Sequence, residues 1–319
     1  MQATFFGGQA VMEGVMMRGR HCMAVAVRTP DGQIALHVEP LSDWRVRLPI
    51  AGWPLVRGVL LLADTLRLGM KALLFSARVA EARTPPALPG DAELRRPLAV
   101  SLALAVGFLF VLPLVVVLPL DGLITVDLAS TLLEGGIRLG LLVGYLRLIG
   151  RLPEVERLFG YHGAEHQTIN AYEAGADLTP AGVRRFGLTH PRCGTGFLLI
   201  VVLLSVVVFA LLGRPPLPLR LAARILLLPV IAAVAYEYLR LTATLYRRRL
   251  GRWLAAPGLA LQRLTTRPPD DGMREVAIAA LQHVLAGDRA LTPAVRRARA
   301  ACRADEPGAG HAPLTLPDG

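Results

Sequence analysis

Long apolar runs, set apart by short charged stretches, pattern the middle of the chain at the length of membrane-crossing helices. Leu98 to Leu120 carries no charged residue, and about twenty apolar residues in a helix cross a hydrocarbon core. Pro113 within it predicts a kink, tolerable where neighbouring helices cover the loosened backbone. Gly135 to Ile149 is shorter and contains Arg138 and Arg147. It spans only if Leu123 to Glu134 contributes, or if the arginines face protein or snorkel. Thr195 to Leu212 and Leu217 to Leu239 complete four expected spans, joined by the turn-like Gly213-Arg214-Pro215-Pro216. Arg224 and Glu237 lie in or near the last, where a carboxylate is costly unless paired, so Glu237 is a candidate ligand as well as an arginine partner.

Other periodicities flank these runs. Cys22 to Val27 and Ile34 to Val38 are β-prone and separated by Thr29-Pro30-Asp31-Gly32-Gln33, which predicts a hairpin. The preceding FFGGQAVMEGVMMRGR lacks nucleotide-binding spacing and is expected to be turn-rich, with Arg18 able to bind an anion. Trp53 to Ala80 interleaves apolar residues with Arg57, Asp64, Arg67, Lys71 and Arg78, the pattern of an interfacial helix. Thr84 to Arg96, with three prolines, is expected to be a linker. Trp253 to Gln262 predicts another interfacial helix and Met273 to Leu285 an amphipathic one, with a disordered tail from about Pro307. The expected fold is mainly α: a polytopic helical membrane protein with about four transmembrane helices, interfacial amphipathic helices and a small N-terminal β-hairpin. Its expected segments are 1–52 (cytoplasmic glycine-rich segment and hairpin), 53–96 (interfacial helix and linker), 97–150 (first transmembrane pair), 151–194 (cytoplasmic His/Glu/Cys segment), 195–240 (second pair), 241–300 (cytoplasmic helices) and 301–319 (tail).

Composition supports this class. Hydrophobic residues make up 53% of 319 and charged residues 18%, with a mean hydropathy of +0.48, which excludes a single ordinary soluble domain. The first residues lack a basic start and a long apolar run, so the N-terminus is expected to stay cytoplasmic. Cys22, Cys193 and Cys302 suggest no disulfide framework and agree with a reducing compartment. The formal net charge of +11 gains meaning from its distribution. Twelve of 35 basic residues precede Pro97, none falls in 121–134, five fall in 150–194 and thirteen follow from Arg240 onward. By the positive-inside rule both termini and the 150–194 loop face the cytoplasm. The charge therefore points to membrane lipids, and to a protein partner on that face, rather than to nucleic acid. Oligomeric state is not encoded in these patterns.

Candidate chemistry concentrates between Tyr161 and Phe197. If 161–174 is helical, His162 and His166 lie four apart on one face, where two imidazoles can reach one ion. Glu173 lies on nearly the same stripe, and Glu165 sits a little aside. His162-Gly-Ala-Glu165-His166 matches the HxxEH pattern, in which two histidines hold zinc and the glutamate is the general base. His190-Pro191-Arg192-Cys193 follows, adding two more residues of zinc-ligand type. A divalent metal, zinc by ligand type, is thus expected at His162 and His166, with Glu173, His190 or Cys193 completing the shell. Glu165 is the candidate base, and Arg18 or Arg192 would hold an anionic group of substrate. The plain alternative is that the histidines cap or pair with carboxylates and that Cys193 is a small buried hydrophobe.

Four ordered strings carry a resemblance: GGQAVMEGVMMRG at 7–19, YHGAEHQTINAYE at 161–173, HPRCGTGF at 190–197 and PGLALQRLTTRPPDDGMREVAIAAL at 257–281. Together they resemble the YqhQ-like family of bacterial multi-pass membrane proteins, catalogued as a domain of unknown function or as predicted metal-dependent enzymes. The resemblance implies a protein of the bacterial cell inner membrane and a cluster of His162, Glu165 and His166 with His190 and Cys193. Departures from the family pattern are Gln167 in place of lysine, Gly196 in place of serine and Arg20 in place of proline. The first would remove a positive charge beside the metal. A membrane-embedded metal-dependent hydrolase is the leading expectation. The alternatives are a scaffold with a closed structural zinc site and a transporter component using Arg138, Arg224 and Glu237.

Overall fold

In the computed structural model, which describes residues 6–41, 49–81 and 89–291, the N-terminal chain is a four-stranded antiparallel meander. Its strands are β1 (Gly7–Val11), β2 (Gly14–Arg18), β3 (Cys22–Arg28) and β4 (Ile34–Pro40). The expected hairpin is β3 with β4, in register from Cys22 opposite Pro40 to Arg28 opposite Ile34. The glycine-rich stretch before it is a correction: β1 and β2 form a second hairpin, closed by Met12 and Glu13 with Glu13 at a φ of 51°. Glycine has no strand preference, which masked the alternation there.

Side chains of a strand alternate between faces. Met23, Val25 and Val27 join one core cluster and Cys22, Ala24 and Ala26 another. A sheet covered on both faces needs unbroken apolar strands, and CMAVAV is one. Ten helices follow among the described residues: α1 (Val56–Glu81), α2 (Asp91–Leu120), α3 (Asp127–Ile149), α4 (Pro153–Glu173), the single turn α5 (Pro180–Val183), α6 (Gly194–Leu212), α7 (Leu217–Leu226), α8 (Leu228–Leu245), α9 (Arg249–Thr265) and α10 (Asp271–Leu291). Leu68, Ala72, Phe75 and Val79 recur at helical spacing and lay α1 on one face of the sheet. Tyr161, Ala164 and Ile169 of α4, with Met273, Val276, Ala280 and Val284 of α10, cover the other.

The second core is a helical bundle built from Leu109 and Phe110 of α2, Leu142 and Leu146 of α3, Leu199 to Val202 and Phe209 of α6, Ile231 and Ala235 of α8, and Leu261 of α9. Among the described residues three helices, α2, α6 and α8, are long and apolar enough to cross a membrane. The fourth expected span needs correcting. Leu217 to Leu239 is broken at Leu227, because Pro229 has no N–H to continue the ladder, and the apolar helix is Leu228–Leu245. The α3 helix has the length, 23 residues, but Glu134 and Arg138 interrupt its apolar character. Both are buried. Glu134 accepts from Arg138 Nη2 at 2.5 Å and from Arg224 Nη2 at 2.6 Å, and the Arg224 guanidinium lies 3.9 Å from the Phe209 ring centre. The arginines of this span thus behave differently: Arg138 faces protein, whereas Arg147 lies in the last turn of α3.

Pro113 distorts α2 as expected. The chain widens into a π-type turn over Gly107–Val111, and the Leu109 carbonyl, which would take the missing Pro113 N–H, accepts from Arg138 Nε at 2.7 Å instead. The expected linker is also shorter than its proline content implied. Residues 82–88 lie outside the described residues, and Asp91 to Arg96 already belong to α2, whose Glu93 accepts the Gly90 N–H at 3.0 Å. The tail from Pro307 lies outside the described residues.

Candidate metal centre

Pro153 in the first turn, with Glu154 and Glu156 beside it, starts α4 two turns earlier than the motif required. The helix carries His162, Glu165 and His166 across the junction between sheet and bundle. Gly163 permits this: a Cβ there would lie 2.2 Å from the Arg267 carbonyl. That close approach brings the end of α9 against His162, whose Nδ1 lies 2.8 Å from the Thr265 carbonyl. His166 Nδ1 lies 2.6 Å from the Leu188 carbonyl. A carbonyl only accepts, so each ring turns an Nδ1 proton toward it, and it is Nε2 that is left to act as a ligand atom in the neutral tautomer. The rings are 4.3 Å apart between centres.

Cys193 completes the group. It is the N-cap of α6, its Sγ accepting from Thr195 N at 3.4 Å and standing 3.2 Å from His162 Nε2. Ligand atoms of His162, His166 and Cys193 all lie within 4.8 Å of one another. His166 Nε2 is buried and has no hydrogen-bond partner among the described residues. Leaving a buried ring nitrogen unmet is costly, so a further group at this point fits the site. Two imidazole nitrogens and a sulfur are donors of the types that transition metals such as zinc and copper take.

His190 and Glu173 stand beside this group rather than in it. His190 is held from both sides by Gln262, whose Oε1 accepts its N–H and whose Nε2 donates to its carbonyl, each at 2.9 Å. Its Nε2 is 3.6 Å from Glu173 Oε2, and burial pushes its pKa down against the pull of that carboxylate. Glu173 is also ion-paired with Arg192. Burial opposes its ionisation, but His190 and Arg192 outweigh burial and hold its pKa below the usual range. Glu237 is not near the cluster: it pairs with Arg57 of α1, Nε to Oε1 at 2.7 Å.

Glu165 is buried, 5% exposed, and burial pushes its pKa up to about 7, against the pull of His162 and the Gly8 N–H. A Cβ on Gly8 would fall 2.9 Å from Glu165 Cδ and 2.8 Å from the Met16 carbonyl, so β1 reaches this carboxylate only through glycine. A cleft of about 530 Å³ opens here, and its walls include His162, Glu165, Cys193, His190, Arg18 and Arg192. Arg18 Nη2 is bonded to Asp64 at 2.5 Å. The sequence brought His162, His166, His190, Glu165 and Cys193 into view but missed the groups that hold the histidines: Thr265, Leu188 and Gln262. Gln262 and Thr265 fall within a string that carried the family resemblance, the only signal that marked them. Gln167 is a correction, since its amide bonds the Phe186 carbonyl at 2.9 Å and accepts from Arg274 Nε at 3.0 Å, away from the ligand atoms.

Sheet, bundle and cluster together define a mainly helical protein with three helices able to cross a membrane and a His/His/Cys group at the junction of its two cores. Residues 53–287 match the family described as protein of unknown function (DUF1385). The chain is 32% identical over 292 residues to the uncharacterized protein YqhQ of Bacillus subtilis (strain 168), covering 88% of this chain and 92% of that protein. The chain belongs to this YqhQ-like family. No solved structure matches it.

Proposed function

We propose that this protein is a metal-dependent hydrolase of the bacterial inner membrane, with its centre at the cytoplasmic membrane surface. The observation that carries the reading is the convergence of His162, His166 and Cys193 ligand atoms within 4.8 Å beside an open cleft walled in part by Glu165. Structural zinc sites are closed by four protein ligands, whereas catalytic ones keep three and an open position. When bound, a zinc-type ion would supply Lewis acidity and lower the pKa of a coordinated water to about 7. The chain's residues do the rest. The Thr265 and Leu188 carbonyls orient the imidazoles, Glu165 on the cleft wall takes up a proton, and Arg18 and Arg192 face the anionic part of a substrate. The apolar helices α2, α6 and α8, and the concentration of basic residues away from the 121–134 segment, support the membrane setting.

The competing reading is a scaffold whose structural site is closed by His190. Its support is that His190 Nε2 is also buried without a hydrogen-bond partner among the described residues. Metal analysis of purified protein tests both. About one zinc ion per chain is expected, lost in a His162→Ala/His166→Ala variant and weakened in Cys193→Ser. Unchanged metal content in the double variant rules the site out. In cobalt-substituted protein, added azide should perturb the visible bands if a position is open and leave them unchanged if His190 closes the shell. Glu165→Gln should retain the metal and lose turnover of activated ester and phosphate substrates.

A further inference from the structure

Resting on the hydrolase reading, we infer that the substrate is a long-chain amphiphile with an anionic head, a membrane lipid by chemistry. The cleft is lined by two unlike sets of groups: Cys193, His162, Glu165, Arg18 and Arg192, and the apolar Leu61 and Leu62 of α1, Leu158 and Phe159 of α4, Phe197 of α6 and Leu239 of α8. Leu62 and Phe197 also pack against the bundle core, so the apolar wall is continuous with the helices that can cross a membrane. Cys193 immediately precedes the apolar helix α6, which puts the ligand atoms at the end of a potential span, the depth of lipid head groups. Charged and apolar groups therefore line one cavity.

A membrane-embedded polypeptide is the other occupant such an apolar wall could take, and competition by an apolar transmembrane peptide decides between the two. A flexible alkyl chain can follow the wall of a cleft of about 530 Å³. Each methylene it buries strengthens binding by about three- to fourfold.

The test uses the full chain in phosphatidylcholine nanodiscs and hexadecyl phosphate bearing a photoreactive diazirine at its tail. Label is expected on Leu61, Leu62, Phe197 or Leu239. Unlabelled hexadecyl phosphate should compete at least about tenfold better than hexadecanol or methyl phosphate, and Arg18→Gln should narrow that margin. Label confined to outward-facing residues such as Leu211 and Leu226 overturns the inference. So does equal competition by hexadecanol, which removes the anionic head, or better competition by an apolar transmembrane peptide, which substitutes a polypeptide. Labelling repeated on the His162→Ala/His166→Ala variant separates the two readings. Cleft labelling of a wild-type protein that takes up no zinc, kept in the double variant, sinks the hydrolase and leaves the lipid site. Zinc uptake with exterior labelling does the reverse.

Discussion

At Glu13 the carboxylate accepts from Arg157 Nε at 2.7 Å and Nη2 at 2.5 Å, and from the Tyr161 hydroxyl at 3.2 Å, joining the β1–β2 turn to the helix that bears the histidines. Arg157 holds the Glu13 pKa below its ordinary 4.5 although partial burial opposes it. A carboxylate depressed in the folded state stabilises the fold above its unfolded pKa and loses that contribution as pH falls through the folded value. Glu13→Gln should therefore lower Tm at neutral pH, with a gap that closes below about pH 4. Because Arg157 is half exposed, the effect should stay under about 1 kcal/mol. A gap independent of pH would assign Glu13 a purely steric role. At this scale the histidines and Cys193 were legible because their side chains carry the chemistry. The Thr265 and Leu188 carbonyls were not, since a backbone acceptor has no sequence signature. Glu173 lies two helical turns beyond His166, about 10 Å along the axis, and pairs with Arg192 and His190 there.

Among elements, α3 is held by an unusual arrangement, one carboxylate shared by two arginines. Arg138 also donates to Ser205 Oγ of α6 at 2.9 Å, so α2, α3, α6 and α7 meet at Glu134. Removing one partner of a buried charge group costs about 3–5 kcal/mol, whereas replacing the whole group by apolar residues is often neutral. Glu134→Gln should therefore destabilise the protein severely in thermal unfolding, and a Glu134→Leu/Arg138→Met/Arg224→Leu triple variant should recover much of the loss. A Glu134→Gln protein as stable as the wild type would mean that the network contributes nothing. The sequence reading required the α3 arginines to face protein or to snorkel, and Arg138 faces protein. It joined α7 to α8 because a largely apolar stretch conceals the missing hydrogen bond at Pro229. It read β1 and β2 as turns because Gly7, Gly8 and Gly14 dilute a strand pattern whose partners lie across the meander.

Over the whole molecule, a sheet layered between helices sits at one end of the bundle. The α2–α3 and α6–α7 connections meet at the other, where Arg214 Nε bonds Asp127 at 2.5 Å. If the sheet end is cytoplasmic, alkaline phosphatase inserted between α2 and α3 should be active, and the same reporter after Leu291 should not. The reverse pattern would invert the topology. The two kinds of periodicity made the sheet and the bundle legible separately. Their junction was not, because it depends on close approaches such as Gly163 against Arg267 that no local pattern announces.

The placement of Cys193 has one more consequence. The imidazoles belong to the helix under the sheet and the thiol to the first turn of an apolar helix synthesised later. If His162, His166 and Cys193 hold an ion as proposed, a nascent chain owns two of these three ligands before that helix is seated. Tight ion capture would then be a late step of biogenesis, and a protein stalled during membrane insertion would remain empty whatever the cellular supply.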